Sequence, residues 1–245
     1  MKNFAKFAAV AALTLSISAF AGSASAAAIN IATSGNPQSH PELTWTPLAG
    51  TPYGTLATLA NVTSQLTFDD ALLSAAHSGV YKFNLSVTNS LATGGSFGLS
   101  LGTYQEGGLN GGFTFKNALN QVILGGIITD GWLKAASGAT GGNFDMNTTP
   151  PVFYSDFADV TALLLTLHDE SFSFGLSGIT PRIVIAGTGA PGNPQHFAPF
   201  TVNSAFGGFD GVIPEPATWG LMLVGFGGLG GMLRLNRKRQ ALAAA

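Results

Sequence analysis

The chain is 245 residues long and has no cysteine, so it holds no disulfide, no thiolate metal ligand and no cysteine nucleophile. Its formal charge of −2 conceals a division: residues 27–212 carry four basic residues against eleven acidic ones, a net of −7, which argues against phosphate-driven binding of nucleic acid. Charged residues are 9% of the whole, against a usual share of about 25%, so surface polarity has to come from Ser, Thr, Asn, Gln and the backbone.

The first predicted element is a targeting segment. Lys2 and Lys6 precede an apolar run from Phe7 to Phe20, and small residues follow to Ala24-Ser25-Ala26. That is the charged, apolar and A-x-A order of a secretory signal peptide. The run is about 14 residues, short of the ~20 that a membrane-spanning helix needs. Residues 1–26 are therefore expected to be removed on export, with Ala24 and Ala26 marking the cleavage site and a cut after Ala28 as the alternative.

Residues 27–212 then read as one β-rich extracellular passenger domain, long enough for a proper core. In "GVYKFNLSVTN", Tyr81, Phe83, Leu85 and Val87 alternate with Lys82, Asn84, Ser86 and Thr88, the period-two signature of a strand with one wet face. The alternation returns at Phe97, Leu99 and Leu101, and again at Phe172, Phe174 and Leu176. "VILGGII" and "RIVIAG" read as more buried strands, and glycine pairs such as Gly94-Gly95, Gly107-Gly108, Gly111-Gly112, Gly125-Gly126, Gly141-Gly142 and Gly207-Gly208 read as turns or flexible loops. Residues 156–170 fit either a short helix, with Phe157, Val160, Leu163, Leu164 and Leu167 at helical spacing, or a strand hairpin turning at His168-Asp169-Glu170. The fold class expected is all-β, an antiparallel sandwich or related barrel, flanked by the signal peptide and a single C-terminal transmembrane helix.

Within the passenger no residue pattern assigns a catalytic group, a metal site or a cofactor. His40, His77, His168 and His196 form no H-E-x-x-H or H-x-H arrangement, and no G-x-S-x-G elbow accompanies the many serines. A secreted hydrolase would need His168 or His77 beside a carboxylate in a cleft. A calcium site would draw on Asp69-Asp70 or on Asn143, Asp145 and Asn147. A sugar-binding surface would need Trp45, Tyr53, Tyr104, Trp132 and Tyr154 to converge on one exposed face.

The end of the chain, residues 213–245, carries the most specific signal. Pro214 and Pro216 fix φ and hold "IPEP" extended around Glu215. Trp219 opens an apolar run that reaches Leu235 and is thinned by six glycines. As a helix over about 218–235 it would extend roughly 25 Å, short of a bilayer core of about 30 Å. Arg234, Arg237, Lys238 and Arg239 follow as a stop-transfer basic cluster that keeps its end in the cytoplasm.

With Pro214-Glu215-Pro216, the "PEPATW" context at Trp219, the apolar segment and the basic finish, this tail resembles the PEP-CTERM protein-sorting tail, over about the last thirty residues. The resemblance implies a Gram-negative environmental bacterium, export machinery and a membrane-embedded exosortase as partners, transient residence in the inner membrane, and then the cell surface or the medium. It implies as well a link to exopolysaccharide and biofilm. The function expected is that of an exported, non-catalytic surface or matrix protein, the alternatives being a carbohydrate- or calcium-binding module and, after them, a secreted hydrolase.

Overall fold

The computed structural model describes residues 27–35, 42–60, 62–146 and 149–213. The signal peptide expected over 1–26 and the membrane helix expected over about 218–235 lie outside them, and no helix among the described residues is long and apolar enough to cross a membrane. The chain enters through β1 (Ala27–Gly35), β2 (Leu43–Pro47), β3 (Gly54–Thr58) and β4 (Thr63–Phe68). Helix α1 (Ala71–His77) leads into β5 (Gly79–Thr88), and a 3₁₀ turn, Leu91–Thr93, into the hairpin of β6 (Ser96–Ser100) and β7 (Thr103–Lys116). Next come β8 (Val122–Ala135), β9 (Gly141–Met146), β10 (Val152–Tyr154), α2 (Ala158–Leu164) and β11 (His168–Ser177). The short β12 (Ile185–Ala186), β13 (His196–Phe197) and β14 (Phe200–Val202) precede β15 (Ser204–Ile213).

Eight strands close on themselves. In the order β5, β4, β1, β15, β11, β9, β8, β7, each is hydrogen-bonded to the next, and β7 returns to β5 with Phe83 opposite Phe115 and Leu85 opposite Phe113. The result is an antiparallel barrel, one of the two all-β architectures, sandwich or related barrel, expected from the sequence. The far half of β5 also carries β3, which continues through β2 to β14. Following strand directions round the ring puts the start of β1 and the end of β15 at one pole, and the turn between β6 and β7 at the other. Both helices lie on the connections at the first pole. Helix α1 starts there because the Asp70 carboxylate accepts from the N–H groups of Leu72 (3.0 Å) and Leu73 (2.9 Å), satisfying donors that the helix leaves free.

The interior is packed with phenylalanine. Phe83, Phe113, Phe115, Phe144, Phe153, Phe172, Phe174 and Phe209 are all buried. Phe113 alone meets Phe115, Phe153, Phe172, Phe174 and Phe209 at centroid separations of 5.0–6.2 Å. Each such ring contributes about 1.5–3 kcal/mol by leaving water. Rings this large crowd a barrel of eight strands, and the glycines supply the room. Gly126 faces Phe113 across the β7–β8 ladder, and a Cβ there would run into the ring. A Cβ on Gly131 would come within 2.7 Å of the Phe144 ring.

This corrects the reading of the glycine pairs. Five of them lie inside strands β7, β8, β9 and β15, and only Gly94-Gly95 sits at a turn. Gly108 and Gly111 have φ of 70° and 152°, where the β7–β8 register shifts and the strand bulges. Two other expectations change. "RIVIAG" yields only the two residues of β12, although Ile183 is buried. Residues 156–170 contain the helix α2, which buries Val160 and Leu164, and then go directly into β11 at His168. Of the Phe97-Leu99-Leu101 alternation, Phe97 and Leu99 do lie on β6 and Leu101 falls in the turn after it, but this strand lies outside the ring at the end of the sheet order. Phe97 is half-buried against Tyr104 and Phe197, Leu99 is 62% exposed, and Leu101 is wholly exposed.

Candidate functional site

The barrel interior is filled, so a site has to be sought at the poles, in buried polar groups or on the outer wall. At the helix-bearing pole, His77 ends α1 and Asp159 lies in the first turn of α2. His77 Nε2 and Asp159 Oδ2 are 2.8 Å apart. The imidazole is buried between the rings of Phe68 and Phe157, while the carboxylate stays half exposed. The hydrogen bond from His77 holds the Asp159 carboxyl below its usual range. Asp159 stands at a helix start, so its negative charge also opposes a helix dipole. The pair straps two helices together, and the imidazole faces aromatic rings in place of a cleft.

His168 is exposed and Asp169 has φ of 51°, where β11 slips register against β15; the triplet is a β-bulge. Asp145, on β9, accepts a hydrogen bond from Lys134 Nζ at 2.8 Å, so the carboxylate that the calcium reading relied on is already paired with a cation. Asn147 lies outside the described residues. Asp70 is the cap of α1, and Asp69 neighbours Asp210, whose carboxyl is raised by burial and then by the Asp69 charge. Among the described residues no three His, Asp or Glu side chains gather as metal ligands. The five aromatics do not converge. Trp45 is fully buried, with Nε1 donating to the Phe197 carbonyl at 3.2 Å. Tyr104 stacks on Phe97, Tyr154 covers Gly125, Tyr53 rests by Gly95, and Trp132 by Gly107 with Lys134 Nζ 5.7 Å from its ring.

Two buried glutamates escaped the sequence reading. Glu106, on β7, is fully buried; its Oε1 accepts from Asn89 Nδ2 at 2.7 Å and its Oε2 has no partner. Burial pushes its carboxyl up to about 8, against the opposing pull of Asn89. Asn89 is itself tied to the backbone: its Oδ1 accepts from the Gly54 N–H at 2.8 Å, and its Nδ2 also donates to the Gly107 carbonyl. Glu42 is pushed up to about 7 by burial while Oε2 accepts from the Ala205 N–H at 2.9 Å. The available signal was a lone carboxylate within glycine-rich or strand-like sequence of a chain poor in charge.

On the outer wall, β1, β4 and β15 border an open trough of about 740 Å³, lined by Thr33, Gln65, Thr67, Phe206 and nearby glycines. Phe206 is 51% exposed, and its ring lies across Gly35, where a Cβ would approach it to 2.6 Å. Its lining thus combines one aromatic ring with hydroxyl and amide groups.

The remaining predicted site residues, Ala24 and Ala26 for signal cleavage and Pro214, Glu215, Pro216, Trp219, Arg234, Arg237, Lys238 and Arg239 in the tail, lie outside the described residues. The comparison with known families bears on the second group. Residues 212–238 match the PEP-CTERM protein-sorting motif, which takes in all of these tail positions but Arg239. No curated protein and no solved structure matches the chain. The chain is thus an exported protein bearing a C-terminal PEP-CTERM sorting motif, the substrate of an exosortase.

Proposed function

We propose that the mature protein is a non-catalytic component of the cell surface or extracellular matrix that contacts exopolysaccharide through the outer wall of its barrel. The observation that carries this reading is the filled interior: eight phenylalanines occupy the space in which a wider barrel would hold a ligand. Recognition is left to the exterior, where the Phe206 trough combines an apolar ring face with Thr33, Thr67 and Gln65. That is the chemistry a sugar ring requires, an aromatic platform beside groups that both donate and accept hydrogen bonds. The net of −7 over residues 27–212 favours a neutral glycan over a polyanion. The sorting tail supports the connection with biofilm. The hydrolase reading has its histidine–carboxylate pair, but His77 is enclosed by Phe68 and Phe157.

Affinity electrophoresis of the full-length chain through gels containing exopolysaccharide from its own host tests the proposal. Retardation is expected, and Phe206→Ala should weaken it by about fivefold, the equivalent of losing about 1 kcal/mol of ring contact. Mobility unaffected by the polysaccharide would overturn the reading.

A further inference from the structure

We propose that β6 is a self-pairing edge through which two copies of this chain join, antiparallel, about a two-fold axis at Gly98. β6 ends the sheet order and pairs with β7 alone, in a hairpin whose two-residue turn, Leu101-Gly102, has φ of 48° and 80°. Positive φ at both positions is the type I′ geometry, in which the residues flanking the turn, Ser100 and Thr103, form a hydrogen-bonded pair. Alternation along the ladder then assigns Ser96, Gly98 and Ser100 to bonds with β7. The N–H and C=O groups of Phe97 and Leu99 point to the open edge, and all of β6 except Phe97 is exposed.

The sequence of this edge is nearly its own mirror: Ser96-Phe97-Gly98-Leu99-Ser100. Centred on Gly98, an antiparallel second copy sets Ser96 against the second copy's Ser100 and Phe97 against its Leu99. Four main-chain hydrogen bonds form between the Phe97 and Leu99 positions. The glycines meet as a non-hydrogen-bonded pair, the class in which Cα atoms approach most closely, about 4.5 Å. Leu99, 62% exposed in the single chain, gains the Phe97 ring as a cross-strand neighbour. The usual devices that blunt an edge are missing: β6 has no lysine, no proline and no bulge. Leu101, fully exposed with positive φ, keeps the turn tight at a position where Asn, Asp or Gly would be easier. The occupant is a second copy because only an identical strand provides this residue-for-residue match. The contact is a small one, below the ~1,000 Å² of a standing dimer, so assembly is concentration-dependent.

The absence of cysteine makes a direct test available. A Cβ on Gly98 meets nothing within 4 Å, so Gly98→Cys leaves the fold intact, and two such residues at the axis satisfy the Cα separation of a disulfide, about 4.4–6.8 Å. The full-length Gly98→Cys chain, extracted in detergent and mildly oxidised, should run at twice its mass on a non-reducing gel. Leu101→Cys should not, because residue 101 of one copy lies six residues, about 20 Å, from its counterpart. Adding Leu99→Lys to Gly98→Cys should cut the cross-linked fraction at least tenfold at equal concentration. A monomeric Gly98→Cys chain, equal cross-linking of both cysteine variants, or a disulfide to a different protein would each overturn self-pairing.

Discussion

Glu106 is an acid kept from water with one oxygen bonded and one not. A carboxyl raised to about 8 in the fold and near 4.5 in the unfolded chain binds its proton more tightly when folded. The stability it confers is therefore fully present below about pH 4.5 and is lost as pH rises towards 8. Glu42, raised to about 7, acts in the same sense. The melting temperature should fall between pH 5 and pH 8, and Glu106→Gln should flatten much of that slope, since the amide keeps a hydrogen-bonding oxygen but cannot ionise. The difference between the two proteins should reach on the order of 3–5 kcal/mol at pH 8, read by chemical denaturation at each pH. An unchanged slope would show that Glu106 does not titrate in this range. Asp159 runs the other way: its carboxyl is held low by His77, so its contribution exists above the usual carboxylate range and is lost as pH falls through the lowered value. NMR titration should find the Asp159 midpoint below 3.8, and His77→Phe should bring it back up.

At the level of strands, packing depends on rings opposite glycines. Gly126→Ala should cost about 1–3 kcal/mol, since the new methyl overpacks the Phe113 ring, whereas Phe113→Ala should cost about 3–5 kcal/mol through the cavity it leaves. If the glycine substitution is neutral by urea denaturation, the ring has space that the ladder register denies it. The same pairing explains what could be read in advance. β5 and β11 were legible because Phe83, Leu85 and Val87, and Phe172, Phe174 and Leu176, alternate with polar residues on a wet outer face. The glycine pairs were not, since a glycine that makes way for a ring on the neighbouring strand carries the same letter as one that turns the chain. Leu99 and Leu101 misled for the opposite reason: alternation reports which way a side chain points, and only topology reports whether anything stands there. The histidine–carboxylate pair was foreseeable as a type. Its partner, Asp159, is brought to His77 by the meeting of two helices 82 positions apart in sequence. The Phe206 trough gave no local signal, since its walls come from β1, β4 and β15.

At the scale of the whole molecule, the passenger and its address label make separate predictions. Intact mass of the mature protein from fractionated cells should show loss of residues 1–26 together with a cut near Pro214–Pro216. A species retaining Trp219–Ala245 in the inner-membrane fraction would overturn tail processing. Ring closure adds a topological consequence. β1 enters and β15 leaves the ring at one pole, so both ends of the passenger's chain emerge there. A strand of ten residues such as β15 rises about 33 Å, and a tilt near 40° leaves on the order of 25 Å along the axis. The β6 hairpin lies at the far pole, so the open strand and the passenger's two chain ends stand at opposite ends of the ring.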